Sequence, residues 1–186
     1  MRRRRVRHVG VIAALCAAPW ATGAAVAAEG PASADLAKRT FQNAEQLMQE
    51  GKADQALKAY QQIIQSFADS ALADDALLRV GAYHYPTTTL DDLGRVPPAG
   101  QQAARAAFDQ IRERYAQSDS APEAFYRLGL LDLEPDSPGR SLDEAYASFY
   151  SVVNIYPDSE LVPSALVGAA GAEMEKHRYD RAILSL

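Results

Sequence analysis

Apolar residues fall at helical spacing along this chain, and one stripe returns several times. Within 54–70, DQALKAYQQIIQSFADS, the residues Ala56, Tyr60, Ile63, Ile64 and Phe67 stand at i, i+4, i+7, i+8 and i+11, a single face of a helix. Ala104, Phe108, Ile111 and Tyr115 repeat the spacing, as do Ala145, Phe149, Val152, Val153 and Tyr156, while Ala182 and Leu186 begin it again. Nine residues after the last aromatic of each stripe comes a small residue of the next helix: Ala76, Ala124 and Ala165. The pattern predicts an all-α chain of about four helix hairpins, the last one truncated at Leu186.

Punctuation along the sequence fills in the units. A first helix is expected from about Asp35 to Glu50, closed by Gly51, which tolerates a left-handed cap. Asp54 is placed to cap the partner helix, with Asp143 and Asp180 in the same register. The second pair opens near Asp69 and Ser70 and is interrupted at 85–100, YPTTTLDDLGRVPPAG, which no continuous helix accepts; its partner helix is expected over 101–115. Ser120, Pro122 and Glu123 make a capping-box start for the third pair. A second interruption at 134–140 precedes another Ser/Glu pair, Ser141 and Glu144. Pro157 stops that helix, and the fourth pair is expected as 161–175, a turn over 176–179 and a helix from Asp180. Aligned alanines lie 37 residues apart from Ala145 to Ala182, 41 from Ala104 to Ala145 and 48 from Ala56 to Ala104. The surplus coincides with the two Pro/Gly-rich interruptions, so both read as insertions inside regular hairpins.

The first residues read as an address. Met1 to His8 is basic, Val9 to Ala18 apolar, and Ala25-Val26-Ala27 offers small residues for cleavage: a secretory signal peptide over 1–27, a tether over 28–34 and a repeat domain over 35–186. Left uncleaved, the uncharged run from Val9 to Ala28 would be a membrane anchor, the one route to membrane contact. Cys16 raises lipidation, but Leu15 precedes it where a small residue is usual. The chain carries a formal charge of −5, yet five arginines sit in the leader; the remainder holds 14 basic against 24 acidic side chains, a balance of −10. Such a surface repels a phosphate backbone, and no nucleic-acid partner is expected.

Chemistry is sparse. There is no G-x-S-x-G, H-E-x-x-H, phosphate loop or EF-hand spacing, so no catalytic residue, cofactor or metal is expected and the chain is not read as an enzyme. His8, His84 and His177 stand alone. Asp132, Glu134 and Asp136 could contact calcium but lack the glycine turn and terminal glutamate of a calcium loop.

The run A-x3-[YF]-x2-[IV]-x3-[FY], a turn with Asp-Ser, then A-x4-G resembles tetratricopeptide repeats, in the subtype of secreted bacterial envelope proteins. Similar repeats occur in the Tol-Pal-associated coordinator and in the lipoprotein of the outer-membrane β-barrel assembly machinery. The likeness covers about 35–186, clearest over 104–129 and 145–172, and the insertion at 85–100 departs from it. It implies a superhelical α-α solenoid in which Ala56, Ala104 and Ala145 approach Ala44, Gly81, Gly129 and Ala170. Tyr60, Phe108 and Phe149 would then fill the space between units.

It also implies a non-catalytic periplasmic or secreted scaffold, outer-membrane associated or engaged in envelope assembly, that binds a protein or peptide. Self-association through the uncapped C-terminal hairpin would be a further contact. The competing expectation is the N-terminal repeat region of a longer protein whose C-terminal part is an enzyme. In such solenoids the first helix of each pair lines the concave face. That places Phe41, Glu45 and Met48, then Asp75, Leu78 and Tyr85, then Glu123, Tyr126 and Leu130, then Val167 and Met174 toward a mixed apolar and acidic groove.

Overall fold

The computed structural model describes residues 31–184, with side chains from 32 to 177. The described residues are helical, without strands. The helices are α1 (Pro31–Gln49), α2 (Ala53–Ser66), α3 (Ala73–His84), α4 (Pro98–Arg114), α5 (Ala121–Leu133), α6 (Leu142–Ile155) and α7 (Val162–Leu184), with one 3₁₀ turn, Leu90–Asp92, between α3 and α4. Each helix packs on the next. Contacts from α3 to α5 and from α5 to α7 put the first helices of the pairs side by side in an inner layer. This is the expected TPR-like α solenoid. The leader lies outside the described residues.

The aligned small residues set the helix spacing. Ala44, Ala56, Ala104, Ala124, Ala145 and Ala165 are completely buried, as are Phe108, Phe149, Ile63, Ile111 and Val152, with Tyr60 and Leu77 nearly so. Full burial of one such large side chain stabilises by about 2 to 3 kcal/mol. Phe149 shows the device at its tightest. A methyl on Gly129 of α5 would stand 2.7 Å from its ring and one on Gly168 of α7 would stand 2.6 Å away, so the ring is clasped by two helices that lack side chains there. Gly81 of α3 leaves the same space for Phe108.

Tyrosine hydroxyls tie successive turns. Tyr115 donates to the Ala68 carbonyl and Tyr156 to that of Ala116, both at 2.6 Å. These two residues hold the same place in successive units, so the bond repeats with the fold.

Several local expectations are corrected. α1 starts at Pro31, inside the expected tether, because proline suits a first helical position and Ala-Ser-Ala continues readily. Gly51 does adopt the left-handed conformation, φ +75°. Asp54 lies in the first turn of α2 and is no cap; Lys52 holds the cap position without a side-chain bond. Ser141 caps α6 through Glu144 N at 3.2 Å, but Ser120 turns its hydroxyl to Asp75 instead, at 2.9 Å. α4 begins at Pro98, ahead of the expected 101, again with proline in the first turn. The turn expected over 176–179 is absent: α7 runs unbroken to Leu184, since 172–184 holds no glycine or proline to stop it. Ala170, expected at a helix–helix approach, lies exposed; Ala165, Gly168, Ala169 and Ala172 form the buried face of α7, with Gly168 against the Phe149 ring.

Candidate partner-binding face

The insertion between α3 and α4 decides which part of the inner layer is open. Its residues 86–97 form a strap that lies over α5. Arg127 of α5, 7% exposed, donates through Nη1 to the carbonyls of Tyr85 at 2.9 Å and Thr87 at 3.3 Å, while its Nε bonds Glu123 at 2.8 Å. Glu134, fully buried at the end of α5, accepts from the Tyr85 hydroxyl at 3.0 Å and from the backbone N–H of Gly94. Gln101 Nε2 closes the far end on the Val96 carbonyl at 2.7 Å. Leu90, Leu93 and Val96 add apolar contact with the main core. A buried carboxylate with two donors and a buried guanidinium with two carbonyls are satisfied groups, which is what makes their burial tolerable. Burial, then the Glu134 charge and hydrogen bond, hold the Tyr85 phenol far above the ordinary range.

The strap corrects part of the expected groove. Tyr85 (0% exposed) and Leu130 (0%) belong to the core and present nothing to solvent, and Tyr126 (5%) is core as well, with only an edge left at the wall of the cleft beside the strap. Tyr85 caps α3 and turns inward to Glu134; Tyr126 leans on Phe149, ring centroids 5.5 Å apart. An ordered insertion was not readable from its own composition, because Arg127 and Glu134, which hold it to α5, lie 40 to 49 residues further along the chain.

What remains falls in two sections. In the first, Phe41 meets Tyr60 edge-on at 5.6 Å, and Glu45 accepts from the Tyr60 hydroxyl at 2.5 Å and from Arg79 Nε at 2.9 Å. Burial first, and then Glu45, push the Tyr60 phenol well up. Met48 and Leu78 are half-buried against the two cores, and Asp75 is half-buried beside Ser120. A shallow trough along α1 runs past Phe41, Gln42, Glu45 and Gln49.

The second section lies beyond the strap. Val167 is 61% exposed and Met174 58%, with Leu166 beside them at 50%. An open cleft of about 300 Å³ separates strap from α7, walled by Thr88, Thr89, Leu90, Asp91, Tyr126, Ser164 and Val167. Glu123 borders the strap, paired to Arg127.

Other candidates disperse. Asp132 pairs with Arg105 at 2.8 Å and Glu134 anchors the strap, so Asp132, Glu134 and Asp136 do not gather as a calcium site. His84 packs against Tyr83 at 5.3 Å, and His177 lies 3.3 Å from Glu173. His8 and the leader arginines lie outside the described residues. Among the described residues no helix is long and apolar enough to cross a membrane.

Residues 41–70 match the sequence model of the tetratricopeptide repeat. No curated protein and no solved structure gives a significant match to the chain. The matched segment is the stretch from Phe41 through the α2 stripe to Ser70, the unit in which no insertion breaks the hairpin. Repeats of this kind typically mediate protein–protein interaction.

Proposed function

We propose that the chain is a non-catalytic scaffold of the bacterial envelope, exported by its N-terminal leader, which receives a protein partner on the two open sections of its inner face. The observation that carries this reading is the strap. It is a segment of the chain's own backbone, turned once at Leu90–Asp92, that lies on α5 with the Tyr85 and Thr87 carbonyls held by Arg127, and it supports the reading that this layer receives a peptide. Partner residues then belong on either side of it: Phe41, Glu45 and Met48 toward one end, Val167 and Met174 toward the other. The exposed apolar side chains at the α7 end suit an apolar partner segment, and the overall acidity of the chain favours a partner with basic flanks.

Photo-crosslinking in cells tests it. A crosslinker at Phe41 or Val167 should capture the same partner, and one at Lys58 or Gln61, exposed on α2, should not. Capture from α2 alone would sink the assignment of this face. Export is tested separately by fractionation and by sequencing the mature N-terminus, expected near residue 28; an intact leader in the membrane fraction would replace export with anchoring. Val167→Glu and Met174→Glu are expected to weaken capture at least tenfold while the helical signal stays unchanged.

A further inference from the structure

Three carboxylates converge at a junction between hairpins. Asp74 and Asp75 open α3, and Asp119 lies in the turn between α4 and α5; one oxygen from each lies within 4.8 Å of the others. Asp74 is only 4% exposed, and its Oδ2 is buried with no hydrogen-bond donor. A carboxylate oxygen taken out of water without a donor calls for a cation or a proton. No ion pair of the described residues involves these three side chains, and Arg79, whose charge reaches Asp75, is itself paired with Glu45.

A second orphan lies in the same turn. Ser118 Oγ is buried and unpartnered, whereas the serines of the same register, Ser70 and Ser159, accept from Leu72 N at 3.3 Å and Leu161 N at 3.2 Å. The turn next to Asp119 thus withholds a hydroxyl oxygen that its equivalents commit to the backbone.

We propose that Asp74, Asp75 and Asp119 bind a calcium ion that fastens the start of α3 to the turn before α5. The donor set is all oxygen, with neither imidazole nor thiolate, which selects a hard cation. Two of the three carboxylates come from adjacent positions on one helical turn, a spread arrangement that calcium's loose geometry accepts and magnesium's strict octahedron does not. Asp119 is exposed, so ion and water reach the site from solvent. Asp75 keeps its bond from the Ser120 hydroxyl, which fixes the carboxylate at the head of α5. Bound calcium would lock the second hairpin against the third.

Calorimetric titration of the chelator-treated full chain tests the site. One calcium per chain is expected, in the range of extracellular calcium modules, roughly 10⁻⁴ to 10⁻³ M, with weaker binding of magnesium. Thermal unfolding should rise on adding about 10 mM calcium. Asp119→Asn should weaken binding at least tenfold and raise the melting temperature of the calcium-free protein, because it removes repulsion from an exposed position. Asp158→Asn, in the next turn, should change neither. Terbium luminescence excited through tyrosine reads the site independently in Asp75→Asn, where loss of signal is expected. Absence of calcium binding, equal binding by the Asp119→Asn protein, or tighter binding of magnesium would each overturn the proposal.

Discussion

Phe149 is held between two glycines, and its cost of removal follows from that enclosure. Truncation to alanine would leave both Gly129 and Gly168 facing a void, and the same holds for Phe108 against Gly81; either change is expected to destabilise by about 3 to 5 kcal/mol. Gly129→Ala attacks the contact from the other side. Its methyl must displace a fully buried ring, so a loss of about 1 to 3 kcal/mol is expected by denaturant titration, and an unchanged midpoint would contradict the packing. Tyr156→Phe keeps the ring and deletes the bond to Ala116, with a loss of about 1 kcal/mol expected.

Protonation also acts at single residues. Burial raises the Asp75 carboxyl, against the Ser120 hydrogen bond, and Asp74 and Asp119 push the same way while Arg79 opposes. The folded group therefore holds its proton more firmly than the unfolded one. Its contribution to stability is full below the ordinary aspartate value near 4 and is lost as pH rises through the raised value. Melting temperatures of the calcium-free protein should accordingly climb as the pH falls toward that value, and Asp75→Asn should flatten the slope. At this scale Ala44, Ala56, Ala104 and Ala145 and the rings of Tyr60, Phe108 and Phe149 were legible from spacing, whereas the burial of Tyr85 and Tyr126 and the exposure of Ala170 were not. The tyrosine hydroxyls and the carboxylate cluster were not, because each depends on a backbone or side chain from another unit.

Among elements, the strap is the one the sequence described only as an interruption. Prolines and glycines in 85–100 excluded a helix correctly, yet whether the segment hangs free or lies ordered rests on Arg127, Glu134 and Gln101. Removing its anchor by Glu134→Ala leaves the Tyr85 hydroxyl and the Gly94 amide without an acceptor, with a loss of about 2 to 4 kcal/mol expected. Trypsin should then cut more readily after Arg95, whose side chain is exposed; equal cutting of both proteins would show that Glu134 does not hold the strap. Helix ends were readable where a glycine or proline closed them, as at Gly51 and Pro157, whereas the starts of α1 and α4 were placed three or four residues late because Pro31 and Pro98 open those helices instead of preceding them. They failed in α7, where 176–179 had been expected to turn from repeat alignment and no residue there enforces a turn.

For the whole molecule, the succession of stripes was enough to give the hairpin stack, since a helix with one apolar face must find another to cover it. It was not enough to show that the apolar interior falls in two parts. Ala44, Ala56, Tyr60, Ile63 and Ala76 form one cluster, and the rings and aliphatics of α3 to α7 form the other. The strap lies entirely within the second part, joining α3 and α4 to α5. Pulled from its two ends, such a molecule should give first between α2 and α3, where the small Ala76 and the half-buried Ile64 and Val80 bridge the two parts, with the leading hairpin swinging like a leaf on a thick block. Amide exchange should then be faster across 32–66 than across 121–155. A ligand long enough to touch both the leaf and the block would feel their angle, so grip and curvature would become one variable.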